Sequence, residues 1–167
     1  MIKMELLIIR HAIAFERNSK RWPDDTKRPL TPDGMLRARK AAAGLKRIVE
    51  CPRRVLTSPL LRAKQTASIL TEFASWPKAV ECPALAPGES PEAVFEALRA
   101  SPDKRLAVVG HQPALGRLIA ACVPGAKPEG FELKKMGVAF IFFNDTPRVG
   151  HAILHWLVQP RMLRAIR

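Results

Sequence analysis

A chain of 167 residues is long enough for one hydrophobic core and too short for two. Its apolar and charged fractions, 47% and 26%, are those of a soluble globular protein, and its apolar runs fall short of the roughly 20 residues that span a bilayer, so we expect no membrane association. The net charge of +13, from 28 Lys and Arg against 15 Asp and Glu, indicates attraction to acidic or phosphorylated partners, nucleic acid or anionic lipid, or simply a basic surface.

The cysteines and the first residues bear on the compartment. Cys51, Cys82 and Cys122 are odd in number, lie far apart and form no C-x-x-C pair, so we expect reduced thiols rather than disulfides. The first apolar run is short and leads directly into Arg10 and His11, unlike the layout of a signal peptide. We therefore expect a cytoplasmic protein.

The first predicted element is a buried strand that ends on two polar side chains. The stretch 6–12 is apolar except for Arg10 and His11, both capable of catalysis. Residues 13–30 then form a loop of a length that is usually functional or disordered. Within this loop we interpret three residues as a solvated basic rim: Arg17, Lys20 and Arg21.

Helix caps and apolar runs divide the middle of the chain. A threonine before proline predicts a helix over 31–49, and a serine before proline predicts another over 90–100. Between them the pattern predicts a strand over 54–57, a helix over 60–75 and a weak strand over 79–82.

The last third predicts a buried strand over 106–110 that leads into His111, a helix to about Val123, and a hairpin of strands over 138–143 and 151–158. Alternating strands and helices followed by a hairpin indicate a three-layer α/β/α sandwich, with a mostly parallel central sheet and an antiparallel C-terminal strand. We interpret the terminal arginines as a charged tail: Arg161, Arg164 and Arg167.

Three predicted strands end near catalytic residue types. The first ends on Arg10 and His11, the second is followed by Arg62, and a later strand by His111. Because the carboxyl ends of parallel strands lie at one edge of a sheet, we expect these side chains to surround one cavity. Guanidinium groups bind phosphoryl oxygens and a neutral imidazole can attack phosphorus, so the set predicts phosphoryl chemistry.

Patterns for other phosphate chemistries do not occur in this sequence. No cysteine is followed six positions later by arginine, and neither G-x-x-x-x-G-K-[ST] nor Asp-x-Asp occurs. His151 and His155 have no third metal ligand in view, so we expect no metal and interpret both as structural. Ser58 has no base beside it in sequence, and we interpret it as a loop hydroxyl.

The chain resembles the histidine phosphatase superfamily, which has the phosphoglycerate-mutase-like fold, and in particular its small SixA-like branch of protein phosphohistidine phosphatases. Four motifs in family order carry this resemblance: LIIRHA at 7–12, RPLTPDG at 28–34, SPLLRAKQT at 58–66 and VGHQP at 109–113. They are spread over most of the chain, which we expect to be a single domain over 1–167.

The resemblance implies a role for each candidate residue. His11 would be the nucleophile that is transiently phosphorylated, and Arg10 and Arg62 would clamp the phosphate. His111, which we expect to be protonated, would touch the transferred group, and Gln112 would help to bind substrate. The attack requires a neutral His11, whose other ring nitrogen would donate, we expect, to a backbone carbonyl. No metal or cofactor is needed to offset the phosphate charge with this set.

The chain departs from larger superfamily members between Arg62 and His111. There, by resemblance, an insertion supplies an acidic general acid, whereas this segment is short and Glu89 is its one acid near a strand end. We interpret Glu89 as a solvated loop acid. A site without a strong acid suits phosphohistidine, whose imidazole leaves easily once it is protonated.

We therefore expect a monomeric cytoplasmic phosphatase that acts on a phosphohistidine of a partner protein, by resemblance a histidine phosphotransfer domain or a phosphocarrier. One alternative is a phosphomonoesterase for a small metabolite on the same fold. Another is a catalytically silent nucleic-acid-binding module. We expect no nucleic-acid binding, because aromatic residues make up only 6% of the chain and tyrosine is absent as a stacking platform.

Overall fold

Six strands form one sheet in the computed structural model, which describes residues 3–167. In chain order the strands are β1 (Met4–Arg10), β2 (Arg54–Thr57), β3 (Val80–Glu81), β4 (Arg105–Gly110), β5 (Val138–Phe143) and β6 (Ala152–Val158). Their order across the sheet is β3-β2-β4-β1-β5-β6. The three strands that precede the candidate residues, β2, β4 and β1, are therefore direct neighbours.

The strand directions match the predicted class. β3, β2, β4 and β1 run parallel, β5 is antiparallel to β1, and β6 is antiparallel to β5. The carboxy-terminal hairpin and the mostly parallel sheet are thus confirmed. Within the hairpin, β5 runs antiparallel to β1, and the last strand, β6, pairs antiparallel with β5. Because the hairpin reverses the chain again, β6 has the same direction as β1.

Helices cover both faces of the sheet. They are α1 (Pro32–Leu45), α2 (Leu61–Ala74), α3 (Pro91–Ala100), α4 (Ala114–Cys122) and α5 (Pro160–Ala165). Alternate side chains of β1 point to opposite faces, so Leu7 and Ile9 join the core under α1, α2 and α5, while Leu6 and Ile8 join the core under α3 and α4. No helix within residues 3–167 has the length and apolar character to cross a membrane.

Both predicted caps are confirmed. The Thr31 hydroxyl accepts a hydrogen bond from the backbone N–H of Gly34, and the Ser90 hydroxyl accepts one from Ala93. The other predicted strands and helices agree with the structure to within two residues at each end. The exception is α1, which ends at Leu45 rather than Val49, because Arg47 and Ile48 bond to the carbonyl of the third preceding residue and tighten the chain there.

The interpretation of the C-terminal arginines as a charged tail is wrong for residues 160–165. They form α5, which begins with a proline at its first turn and buries Leu163 completely against α1. A side chain at Gly44 of α1 would collide with the carbonyl of Leu163, so the two helices approach closely there. Arg161 lies exposed on the outer side of this helix and Arg164 is partly exposed, while Leu163 faces the core.

Candidate active site

The ends of β1, β2 and β4 bring the predicted residues to one edge of the sheet. Arg10 is the last residue of β1, and His11 follows it with its backbone N–H bonded to the carbonyl of Gly110. Ser58 follows β2 and His111 follows β4. The rings of His11 and His111 lie 5.0 Å apart between centroids, so these two distant loops meet as predicted.

His11 is buried, with 7% of its surface exposed, and held in one orientation. Its Nδ1 lies 2.6 Å from the carbonyl oxygen of Ala12, which can only accept, so Nδ1 carries the proton and Nε2 keeps its lone pair. The predicted bond to a backbone carbonyl is confirmed. Burial, followed by electrostatic repulsion from His111, lowers the pKa of His11 to about 3, so the ring is neutral at physiological pH.

A threonine of α2 locks this loop to the neighbouring helix. The Thr66 hydroxyl accepts a hydrogen bond of 2.9 Å from the N–H of Ala12 and donates one of 2.7 Å to the carbonyl of Arg62. Thr66 is completely buried. The residue after His11 is therefore tied directly to the turn of α2 that carries Arg62.

His111 is also held by one ring nitrogen. Its Nε2 lies 2.8 Å from Ser58 Oγ, whereas its buried Nδ1 has no hydrogen-bond partner within residues 3–167. Burial, followed by the charges of Arg62 and Arg10, lowers the pKa of His111 to about 3. The expectation of a protonated His111 is therefore wrong for this structure: desolvation and two neighbouring cations disfavour a further positive charge.

The guanidinium groups of Arg10 and Arg62 lie near the two histidines, and each keeps an N–H donor without a partner in the described chain. Arg62, in the first turn of α2, is 3% exposed, and Arg10 donates from Nη1 to the carbonyl of Leu133 at 2.7 Å. Burial lowers the pKa of both groups, although an arginine stays protonated at physiological pH. The Nε of each is buried and has no partner in the described chain. Buried donors are normally satisfied, so these two N–H groups suit an anionic ligand.

The structure adds two residues of the long loop that sequence reasoning did not assign. Asp25 lies in a 3₁₀ turn (Asp25–Lys27); its carbonyl accepts from Arg62 Nη1 at 2.9 Å, and its carboxylate Oδ2 lies 3.2 Å from Arg62 Nη2. Arg28 is buried and donates from Nε to Asp25 Oδ1 at 2.7 Å. The sequence contained one indication of this pair: Asp25 and Arg28 carry opposite charges three residues apart, and Arg28 is the first residue of the RPLTPDG motif.

The rim residues of that loop differ in their surroundings. Arg17 is exposed and 3.8 Å from Asp25, which is a weak solvated ion pair. Lys20 is exposed, and Arg21 stacks over the rings of Phe15 and Trp22. The interpretation as a solvated rim agrees with the exposure of all three.

Other candidates lie away from this centre or are engaged elsewhere. The amide of Gln112 donates to the carbonyl of Phe131 and accepts from the N–H of Gly116, so its role in substrate binding stays a prediction. Glu89 is exposed in the turn before α3. His155 packs against Phe140. Across residues 3–167, no three His, Cys, Asp or Glu side chains are grouped so that they could hold a metal ion.

Comparison with known proteins decides the family. Residues 6–86 match the model of the histidine phosphatase superfamily (branch 1). The chain is 30% identical to the phosphohistidine phosphatase SixA of Escherichia coli strain K12, over 98% of this chain and 100% of that protein. The chain belongs to the histidine phosphatase superfamily. Within it, the chain is a phosphatase of the SixA-like branch.

Two further comparisons cover most of the chain. An uncharacterized protein of the Picosynechococcus strain PCC 7002 is 39% identical over 138 residues, which are 81% of this chain and 82% of that one. The solved structure of the protein histidine phosphatase SixA complexed with tungstate superposes with a TM-score of 0.83 at 30% identity, over 96% of this chain and 99% of that one.

The fold extends to more distant proteins. Phosphoglycerate mutase from Plasmodium falciparum superposes with a TM-score of 0.66 at 17% identity, over 93% of this chain and 91% of that one. This likeness concerns the fold alone. It agrees with the predicted phosphoglycerate-mutase-like architecture.

Proposed function

We propose that this histidine phosphatase removes the phosphoryl group from a histidine of a partner protein through a phospho-His11 intermediate. The proposal rests above all on one observation. A neutral His11 with a free Nε2 lies 5.0 Å, between ring centroids, from His111. Buried Arg62 and partly buried Arg10 nearby each have a buried Nε–H without a partner in the described chain. This arrangement supplies a nucleophile and several donors for one tetrahedral dianion.

In the first step, the lone pair of His11 Nε2 forms a bond to phosphorus while the N–P bond of the substrate breaks. The electron pair of the broken bond goes to the leaving imidazole, which departs neutral if its other nitrogen carries a proton. Arg10 and Arg62 offset the charge on the phosphoryl oxygens. The proton on His11 Nδ1 stays bonded to the Ala12 carbonyl, which favours the developing positive charge on the ring.

In the second step, the oxygen of a water molecule forms a bond to phosphorus and the water loses one proton to solvent. The bond between phosphorus and His11 Nε2 breaks, and its electron pair returns to Nε2. His11 then returns to its neutral form and inorganic phosphate leaves. We assign His111 the role of donating from Nδ1 to a phosphoryl oxygen in both steps. Its Nδ1 is buried and unpartnered in the described chain, and a bound dianion would oppose the loss of basicity that Arg62 and Arg10 cause.

The choice of a protein substrate is supported by the relatives and by the surface. The E. coli relative matched over its full length is a phosphohistidine phosphatase, and the relative solved with tungstate holds a phosphate-like oxyanion. A basic, exposed loop beside the site suits an acidic partner face, such as that of a phosphotransfer domain or phosphocarrier. We further propose that residues 1–167 act as one domain and as a cytoplasmic monomer.

A substrate panel tests the proposal. We expect kcat/KM for a phosphohistidine-carrying protein to exceed that for sugar and nucleotide phosphates by at least about 100-fold, because the site has no assigned acid for an alkoxide. His11→Ala should lose activity by about 10⁴-fold or more and form no phosphoenzyme in acid-free gels after a pulse of labelled substrate. Cys51→Ala, far from the site, is the control. Full activity of His11→Ala, or a preference for a small phosphate ester, would contradict the proposal.

A further inference from the structure

A carboxylate lies on the guanidinium group that we assign to the phosphoryl group. Asp25 contacts Arg62 twice, through its carbonyl at 2.9 Å and its carboxylate Oδ2 at 3.2 Å. Its Oδ1 is taken by Arg28 Nε at 2.7 Å. An acid at this place is unexpected, because a carboxylate repels the dianion that the arginines attract.

The carboxylate lies on the outer side of Arg62. The Asp25 side chain is 39% exposed, whereas the side chain of Arg62 is 3% exposed. Asp25 also acts electrostatically on His111. A phosphoryl group held by Arg62 and His11 with its leaving group toward solvent would therefore place that leaving group beside Asp25. Oδ2 has Arg62 as its one close partner in the described chain and keeps a lone pair free.

Asp25 is an acceptor and not an acid. The hydrogen bond from Arg28, reinforced by the charge of Arg62, holds the pKa of its carboxyl below the ordinary range. It therefore has no proton to give to a departing alkoxide at neutral pH. It can accept a hydrogen bond from a leaving group that brings its own N–H.

Phosphohistidine has such a leaving group. When the nitrogen that does not carry phosphorus is protonated, the ring is cationic and departs as neutral imidazole once the N–P bond breaks. A carboxylate that accepts this N–H stabilises the protonated ring and raises its pKa. The same carboxylate opposes an alkoxide or phenolate, on which negative charge develops.

Resting on the proposed phosphohistidine phosphatase activity, we propose that Asp25 is a specificity-determining residue of the substrate site. Its Oδ2 accepts a hydrogen bond from the free N–H of the substrate imidazole. The N–P bond breaks with its electron pair on the imidazole, the phosphoryl group passes to His11 Nε2, and the N–H proton stays on the departing ring. Asp25 thereby favours N-phosphorylated substrates over phosphate esters.

The test compares two substrates in each enzyme sample. The probes are a phosphohistidine peptide and p-nitrophenyl phosphate, and the measured quantity is the ratio of their kcat/KM values. This ratio does not depend on the folded fraction of a sample. In Asp25→Asn we expect it to fall by at least about 10-fold, the worth of a charged hydrogen bond, through loss of activity on the peptide. In the pH profile of kcat/KM for the peptide, the loss of activity at alkaline pH should also begin at lower pH, because the substrate imidazole loses the carboxylate that raises its pKa.

Asp24→Asn is the matched control. Asp24 caps the same 3₁₀ turn and pairs with Lys27, and asparagine retains the capping acceptor. For Asp24→Asn, the ratio of the two kcat/KM values should stay within about twofold of the wild-type ratio. An unchanged ratio in Asp25→Asn, including an equal rise or fall on both substrates, overturns the role of Asp25. A wild-type enzyme inactive on the phosphohistidine peptide overturns the proposed function itself, which is a separate result.

Discussion

Each of the two site histidines depends on one hydrogen bond for its orientation. His11 donates from Nδ1 to a backbone carbonyl, and His111 Nε2 meets the buried hydroxyl of Ser58. The oxygen of Ser58 already accepts from the N–H of Leu60 at 3.3 Å, so its own proton is free to point at Nε2. Nε2 of His111 is the one acceptor that the Ser58 hydroxyl meets in the described chain, so this contact favours the tautomer with the His111 proton on Nδ1. Ser58 is therefore a positioning residue rather than the plain loop hydroxyl that its sequence context indicated.

Removing the Ser58 hydroxyl should misplace the His111 proton. We expect Ser58→Ala to lower kcat by about 10-fold with little change in KM, and to destabilise the fold by about 1–2 kcal/mol, since Nε2 loses its buried partner. Nitrogen-15 NMR of the histidine ring should show a mixture of tautomers. Ser68→Ala, an exposed hydroxyl on α2, is the control. A single unchanged tautomer with unchanged kcat would show that Ser58 does not position His111.

At the scale of elements, the short α5 completes one face of the molecule. It contributes Leu163 to the core formed by α1, α2 and β1, and Gly44 allows its backbone to approach α1 closely. A six-residue helix is not stable by itself in water, so its order depends on this packing. The fully buried Leu163, with the partly buried Ile166 just beyond the helix, packs this end of the chain against the core.

Neighbouring residues of α5 provide a matched test of this packing. Leu163→Ala should lower the free energy of unfolding by about 2–4 kcal/mol, because it empties a fully buried site. Met162→Ala, at a position that is 59% exposed, should change it by less than about 0.5 kcal/mol. Chemical denaturation measures both. Equal effects of the two substitutions would contradict the docking of α5.

For the molecule as a whole, the burial of two neutral histidines makes stability depend on pH. Burial, with neighbouring positive charge, lowers the pKa of His11 and of His111 to about 3. In the unfolded chain a histidine titrates near about 6.5. Between these values the unfolded state binds more protons than the folded state, so stability is lost as the pH falls below about 6.5.

This acid sensitivity should be measurable in a single variant. Each histidine contributes a slope approaching about 1.4 kcal/mol per pH unit between about pH 6 and pH 4. We expect the dependence of unfolding free energy on pH to become shallower by that amount in His111→Gln. Ser68→Ala, at an exposed position without a titratable group, should keep the wild-type slope. If both variants have the same slope, His111 is not held neutral in the folded protein.

Local sequence patterns predicted most of the architecture. Apolar runs marked the strands because those strands are covered on both faces, and Thr31 and Ser90 marked helix starts because capping is a contact within one turn. The convergence of Arg10, His11, Arg62 and His111 also followed from sequence, since it depends only on parallel strands ending at one edge. The orientation of His11 toward a backbone carbonyl required no distant partner.

By itself, then, the sequence determined the fold class, the family and the strand ends that carry the candidate residues, because each depends on short-range pattern and motif order. Only the tertiary structure decided that Asp25 lies on Arg62, that Ser58 holds His111, and that Leu163 docks α5. It also decided the neutral state of His111. These features arise from contacts between residues 37 to 119 positions apart, as between Asp25 and Arg62 or Gly44 and Leu163, and from desolvation, which no local pattern records.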